Sequence, residues 1–332
     1  MLNIAVIGSG LAGLTAARHL QHAGHHVTVY EKAMGVSGRM STRQTELGGF
    51  DHGAQYFTAR TDRFRKEVSD WIKHGWVAEW DARVVALEHG QVTAEKKKTA
   101  RFVAVPGMNS LGKQLQHGLD VRTEHTITAC ERLDGQWLLR FRCPTVEIEA
   151  TAGPFDRVIL AVPAEQAAPL LSAVPELAAQ ASGVHMSPCW TMMLGFSFEL
   201  NLPYDAAFVN SHRLNWIARD NSKPGHRPGE RWVAQAGPAW SEEHLRDEPE
   251  RVLEKMLKAF HEETGSHIQP MHAVVHRWAY AQAENPLDAD YLYSDEYGIG
   301  VCGDWFRAGL DGGGKVENAF LSALSLSKKA GS

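Results

Sequence analysis

The residues best suited to chemistry stand near the start of the chain. Gly8-Ser9-Gly10-Leu11-Ala12-Gly13 follows a short apolar run, Ile4-Ala5-Val6-Ile7, and Glu31 stands 18 residues beyond Gly13. Gly8 permits a tight turn, Gly10 lets backbone approach a pyrophosphate, and Gly13 lets a helix close onto the preceding strand. Amides at the start of that helix point outward with partial positive charge, which suits phosphate oxygens. Glu31 is placed to accept from ribose hydroxyls and disfavours a phosphate there. The chemistry this spacing predicts is the holding of an adenine dinucleotide.

The elements that must position these residues are legible around them. Ile4 to Ile7 is too short for a helix and reads as a buried parallel strand. Leu14, Ala17 and Leu20 recur at helical spacing, Gly24 is placed to end the helix, and Val27-Thr28-Val29-Tyr30 reads as a second strand. Strand, turn, helix and strand followed by an acid make a Rossmann-like nucleotide unit. The glycine pattern recurs at Gly298-Ile299-Gly300-Val301-Cys302-Gly303, with no strand expected before it and no helix, strand and acid after it. That second match reads as a strand whose end delivers Asp304.

The first motif alone does not separate FAD from NAD, since both present an ADP half. Two further segments favour FAD. Gly35-Val36-Ser37-Gly38-Arg39-Met40 is a glycine turn carrying a guanidinium, suited to a second approach to the pyrophosphate or ribityl chain. Cys302-Gly303-Asp304-Trp305 precedes Gly312-Gly313-Gly314, after which Val316, Ala319, Phe320, Ala323 and Leu324 outline an amphipathic helix. A helix starting there can aim its amides at the flavin's pyrimidine edge, where negative charge collects on reduction.

If both ends of the chain hold one cofactor, the nucleotide domain is discontinuous. The expected fold class is α/β: a Rossmann-like FAD-binding domain (1–55, 106–165 and 295–332) with a second, mixed-sheet α+β substrate domain (56–105 and 166–294). Strands are expected within Val121 to Arg142 and at Val158 to Val162, stopped by Pro163. The second region offers strands at Trp190 to Phe196 and Trp232 to Ala236. A helix is expected from about Glu250 to Glu263, where Val252, Leu253, Met256, Leu257 and Phe260 share a face.

Composition narrows the class. The chain has 332 residues, 44% hydrophobic and 22% charged, which is globular composition with room for a sizeable core. A net charge of −5 with no concentrated basic block argues against nucleic acid as a partner. Cys130, Cys143, Cys189 and Cys302 stand far apart, which suits a reducing compartment rather than a disulfide framework. No apolar run approaches the roughly 18 residues of a membrane span, and no basic region leads to a small-residue cleavage site, so a cytoplasmic protein is expected. Among 17 histidines no HExxH or comparable spacing occurs, so no metal is expected. His185 and His276, ahead of strand-like segments, read as structural or exposed.

The chain resembles the bacterial renalases, a branch of the flavin-dependent amine oxidase superfamily, over most of its length. The resemblance is carried by GSGLAGLTAARHL, GVSGRMSTR, FDHGAQYFTAR, VPGMNSL, LAVPAEQA, LNWIARDNSKPG, VVHRWAYA and CGDW. FDHGAQYFTAR and WIARDNSKPG are its most specific parts. The resemblance implies oxidation of off-pathway dihydro isomers of NAD(P)H to NAD(P)+, with hydride passing to FAD and oxygen taking the electrons to form hydrogen peroxide. It places Gly8, Gly10, Ala12, Gly13, Glu31, Lys32 and Arg39 along the ADP portion. Gln55 and Tyr56 lie by the isoalloxazine, Ile127 offers backbone groups to the adenine, and Asp304 holds the ribityl chain. Gly38 and Gly312 belong to the two cofactor-facing turns. Cys302 does not occupy the attachment motif of relatives with linked flavin, so dissociable FAD is expected.

An oxidase whose substrate already carries a hydride needs little acid-base equipment, and no residue is singled out as catalytic. The protein must hold the donor carbon over the flavin's reactive nitrogen in an aromatic, largely dry pocket. Tyr56, Trp216, Trp278, Tyr280 and Trp305 are candidate walls, with Phe57, Thr58 and Ala59 from the segment that follows Tyr56. A dinucleotide substrate brings two phosphates, for which Arg60 is the first candidate, Arg219 and Lys223 the second, and Lys96-Lys97-Lys98 a further one. The expected partners are the dinucleotide and O2, with the protein a monomer or dimer. Two other functions fit the same fold: oxidation of a small amine, or nucleotide binding without catalysis.

Overall fold

A computed structural model describes residues 1–95, 99–145, 148–211 and 213–332. They form two compact units. Unit 1 comprises Met1–Gly38, Leu111–Met186 and Gln282–Ser332, and unit 2 comprises Arg39–Ser110 and Ser187–Ala281. The Lys96 to Lys98 run lies outside the described residues.

Unit 1 is built on a six-stranded sheet. Its order is Leu292–Ser294, Ile299–Val301, Arg157–Leu160, Asn3–Ile7, His26–Tyr30 and Asp120–Arg122. All neighbours pair in parallel except Leu292–Ser294, which runs antiparallel at one edge. A short strand therefore does precede the second glycine motif, contrary to expectation, and closes a hairpin onto it. Five parallel strands share one carboxyl edge, and the loops leaving that edge carry the nucleotide motif. Helix Leu11–His22 ends where Gly24 takes φ +90°, and it packs with helix Val316–Ala330 on one face of the sheet. The apolar run Ile4–Ile7 is buried, and Ile4, Val6, Val29, Ile159, Leu20 and Leu326 join one core, each burial stabilising by about 1.5–3 kcal/mol. A three-stranded antiparallel meander, Thr126–Leu133, Gln136–Arg142 and Ala150–Phe155, completes the unit.

Unit 2 is built on a seven-stranded mixed sheet, ordered His272–Ala283, Met186–Phe196, Glu230–Ala236, Leu214–Arg219, Ala206–Val209, Val84–Glu88 and Gln91–Glu95. Alternation along the strands sends Met192, Leu194, Ile217, Trp232 and Ala234 to one face. Helix Pro249–Thr264 covers that face with Val252, Met256 and Phe260. The register makes a row on the opposite face: Ala86, Phe208, Trp216, Gln235 and Thr191 stand side by side across five strands. Met193 and Val233 belong to the next row and pack under Phe50. His276 lies inside strand His272–Ala283 rather than ahead of one. No helix among the described residues is long and apolar enough to cross a membrane.

Candidate functional site

In unit 1 the three glycines of the first motif do different work. A Cβ at Gly8, which takes φ +100°, would lie 2.5 Å from the Ala161 carbonyl oxygen, and one at Gly13 would lie 1.8 Å from that of Gly8. These two positions are fixed by packing. A Cβ at Gly10 would meet nothing within 4 Å, although Gly10 caps helix Leu11–His22. That helix has no side-chain cap and no acid in its first turn, so its leading amides are left for an outside acceptor. Open space in front of uncapped amides is what a pyrophosphate requires, and the residues present fit FAD.

The other nucleotide candidates gather along the same edge. Glu31 directly follows strand His26–Tyr30; one carboxylate oxygen accepts from the Ser9 amide at 2.9 Å and the Ser9 hydroxyl at 2.7 Å, and the other from the Ala33 amide at 2.8 Å. It thereby ties the glycine loop to the end of the second strand, with lone pairs remaining for ribose hydroxyls. The Ser37 amide donates to the Ser9 carbonyl at 2.9 Å, and a Cβ on Gly38 would come 3.2 Å from the Gly10 Cα, so the second glycine turn lies against the first. Lys32 is exposed and donates to Gln166 at 3.3 Å. Ile127 is the second residue of the meander's first strand, two residues after His125, whose amide donates to the Glu31 carbonyl at 2.9 Å. Ala12 is buried in the first turn of its helix.

Asp304 follows strand Ile299–Val301, and its carbonyl accepts from the Gly314 amide at 2.7 Å, which joins the Gly312-Gly313-Gly314 cluster to that strand end. Trp305 is wholly enclosed in unit 1: it stacks on Phe306 at 4.1 Å and donates to the Val162 carbonyl at 3.1 Å. A tryptophan with no exposed face packs as part of the core. Burial pushes the Cys302 thiol up to about 12, which keeps it protonated and inert. His185 is exposed, with Glu284 at 4.0 Å.

In unit 2 the segment Phe50 to Phe57 lies across the sheet face opposite helix Pro249–Thr264, pinned nearly residue by residue. Phe50 packs on Met193 and Val233, and His52 stacks on Trp278 at 5.2 Å, whose indole donates to the His52 carbonyl at 2.9 Å. Gln235 donates to the Gly53 carbonyl at 2.8 Å. Tyr56 rests 5.4 Å from Trp216 and 6.3 Å from Trp80, with the Arg101 guanidinium 5.3 Å from its ring. Phe208 meets Trp216 edge-on at 4.8 Å. Phe57 pairs with Phe102 through two backbone hydrogen bonds of 2.9 and 2.8 Å. Thr58 and Ala59 are half-buried and Arg60 is exposed beyond them. The Trp216 indole N–H and the Arg101 Nε–H are buried without a hydrogen-bond partner. Both donors belong to side chains that pack against Tyr56.

Tyr56 and Trp216, both expected as pocket walls, are neighbours, and Trp80 and Arg101 beside them were not among the expected residues. Arg39 donates to the Ala281 carbonyl at 2.9 Å. Tyr280 lies on the strand that carries Trp278 and His276. Burial first, then the neighbouring His276 and Arg43, lower His52 to about 4; burial and Arg43 do the same to His276. Both imidazoles are neutral.

The expected phosphate role of Lys223 is corrected by its surroundings. Its ammonium is fully buried, 2.7 Å from Asp220, 3.3 Å from Asp51 and 3.4 Å from the Gln55 side-chain oxygen. His226 completes the group, 3.2 Å from each carboxylate, its Nε2 facing Asp51 without hydrogen-bond alignment. Burial lowers the His226 pKa, but the two carboxylates outweigh it and raise it to about 9; they likewise hold Lys223 charged. Burial opposes ionisation of Asp220, and Lys223 with His226 overcomes it. Asp51, Asp220 and His226 have the spacing of a metal site, yet Lys223 already supplies the cation between the carboxylates. Arg219, part-buried, donates to the Leu202 carbonyl at 3.0 Å, sits 3.8 Å from Glu230 and lies over Trp232. Asp51, Asp220 and His226 were missed, though Asp51 and Asp220 stand in the two segments most specific to the resemblance.

The chain matches the NAD(P)-binding Rossmann-like domain over residues 6–72 and the flavin containing amine oxidoreductase family over residues 78–328. It belongs to that family of FAD-dependent oxidoreductases. The 4,4'-diapophytoene desaturases (4,4'-diaponeurosporene-forming) of Staphylococcus aureus strains Newman and USA300 are 44% identical to it over 52 residues, 16% of this chain. The match spans 10% of the length of those relatives. A solved structure described as "Putative protoporphyrinogen oxidase" from Exiguobacterium sp. 255-15 is similar with TM-score 0.77 and 14% identity, over 99% of this chain and 98% of that one. An oxidoreductase from Methanosarcina mazei is similar with TM-score 0.71 and 14% identity, over 98% and 100%. At these identities the likeness is one of fold.

Proposed function

We propose that the protein is a renalase-type oxidase that converts isomeric dihydro forms of NAD(P)H to NAD(P)+ with FAD as a dissociable cofactor. FAD, when bound, accepts the hydride and returns the electrons to O2 as hydrogen peroxide. In this reading Gly8, Gly10, Ala12, Gly13, Glu31, Lys32, Gly38, Arg39, Ile127, Asp304 and Gly312 hold the cofactor, and Gln55 and Tyr56 face its ring system. The observation that carries the reading is the convergence of FDHGAQYFTAR and WIARDNSKPG, which puts Tyr56 against Trp216 beside two buried donors lacking acceptors. A flat nicotinamide stacks on such aromatics, and its carboxamide oxygen is the acceptor those donors lack. Arg60 is proposed to meet the substrate's phosphates.

Amine oxidation is the competing chemistry within the family. Lys223, the one buried lysine among the described residues, is committed to two carboxylates, which leaves it no role as a proton acceptor. The deciding experiment supplies aerobic holoenzyme with 2- and 6-dihydro isomers of NAD and NADP and, separately, with a panel of small amines. Equal yields of NAD(P)+ and hydrogen peroxide from the isomers support the proposal. Peroxide from an amine, with none from the isomers, overturns it.

A further inference from the structure

Lys223, Asp51, Asp220 and His226 form a sealed group of charges whose retention stability alone does not explain. Each ion loses several kcal/mol of hydration on burial, and apolar side chains of similar volume commonly serve stability as well or better. What the charged group does, and apolar packing would not, is dictate the hydrogen bonding of one short segment. Asp51 accepts from the Thr42 hydroxyl at 2.6 Å and the Met108 amide at 2.9 Å, while its own amide donates to Asp220 at 3.1 Å. Lys223 reaches past Asp51 to the Gln55 side-chain oxygen at 3.4 Å. The Gln55 side-chain nitrogen donates back to the Asp51 and Gly53 carbonyls. The Gln55 amide is thus engaged at both ends, its nitrogen within the segment and its oxygen by Lys223, which orients it. Lys223 also lies 5.8 Å from the centre of the Trp80 ring, which stands 6.3 Å from that of Tyr56.

We propose that Lys223 is a positioning residue: acting through Gln55 and Asp51, it fixes the Asp51 to Phe57 segment so that Tyr56 is presented in one conformation to the cofactor and substrate. The proposal rests on the assignment of Gln55 and Tyr56 to the flavin's ring system under the proposed function. It differs from a general stabilising role because the effect is confined to one segment and passes through one side-chain amide.

The experiment uses the holoenzyme and compares the parent with Lys223→Met, Lys223→Arg, Gln55→Met and the Lys223→Met/Gln55→Met double variant. In Lys223→Met, amide hydrogen exchange over residues 51–57 is expected to quicken about tenfold or more, with helix Pro249–Thr264 unchanged. The visible spectrum and midpoint potential of the bound flavin should shift, with FAD affinity within about threefold of the parent. Gln55→Met should show the same quickened exchange at 51–57, Lys223→Arg should recover part of the Lys223→Met changes, and the double variant should be no worse than the more affected single one. Exchange at 51–57 equal to the parent, an unaltered flavin spectrum and potential, or additive losses in the double variant each overturn the proposal. If Lys223→Met does not fold, Gln55→Met decides alone, since it leaves all four charges in place. These measurements use no substrate, so failure of dihydronicotinamides to reduce the parent counts against the proposed function and not against this role.

Discussion

Replacing Gly10 with alanine separates cofactor binding from folding. Gly10 takes φ −68° and ψ 179°, which alanine adopts without strain, and the added methyl meets nothing within 4 Å. Alanine is a poorer helix cap than glycine, at a cost of about 0.5–1 kcal/mol. Reduced entropy of the unfolded chain returns about 0.4–1 kcal/mol. The apoprotein should therefore melt within a few degrees of the parent. The same methyl stands where pyrophosphate oxygens are proposed to meet the leading amides of the helix. Loss of two charge-assisted hydrogen bonds removes about 3–6 kcal/mol, so FAD affinity should fall at least about a hundredfold. Gly13→Ala should behave in the opposite way, because its Cβ would lie 1.8 Å from the Gly8 carbonyl oxygen and the strand-turn-helix unit would not close. Thermal unfolding of the apoproteins and titration with FAD, read as quenching of flavin fluorescence, give both quantities. A Gly10→Ala protein that binds FAD within about threefold of the parent would refute the assignment of this loop to the pyrophosphate.

Three further outcomes follow from the side chains. His226 titrates near 9 in the folded protein against an ordinary 6.5, so its ion pairs stabilise fully below pH 6.5 and lose about 3 kcal/mol as pH rises through 9. His52 and His276, held near 4, act in the opposite sense and weaken the fold as pH falls from 6.5 toward 4, so urea unfolding across pH should show maximal stability near 6.5. A maximum displaced to pH 9 would contradict the charged state assigned to His226. Trp216→Phe keeps a ring against Tyr56 and removes the unpartnered N–H; KM for the dihydronicotinamide should rise about fivefold with kcat little changed, and an unchanged KM would show that the indole has no acceptor in the complex. Acid denaturation should release all flavin, and Cys302→Ala should retain it as the parent does; yellow precipitated protein would contradict a dissociable cofactor.

The nucleotide half of the molecule was legible because its signals are local. Gly8, Gly10, Gly13 and Glu31 fall within one strand-turn-helix-strand unit, where short-range spacing and helical period carry the information. The return of the chain at Asp304 and helix Val316–Ala330 was also readable, from a glycine cluster followed by apolar residues at helical spacing. The buried charge group was not, because Asp51 and Lys223 are 172 residues apart and neither belongs to a periodic pattern. A lysine in a Ser-Lys-Pro-Gly turn reads as a solvated cation until the fold encloses it with two carboxylates. The enclosure of Trp305 was not legible for the related reason that a tryptophan lining a pocket and one in the core look alike in sequence. The strand row that sets Trp216 beside Gln235 depends on register across several hairpins, which alternation within one strand does not reveal.

Rapid anaerobic mixing of the FAD-loaded protein with 2- or 6-dihydro-NAD or -NADP tests the central claim most directly. The flavin absorbance should bleach within seconds, with one equivalent of NAD(P)+ formed per flavin. Flavin that stays oxidised through such mixing, yet bleaches on illumination with a photoreductant, would contradict it.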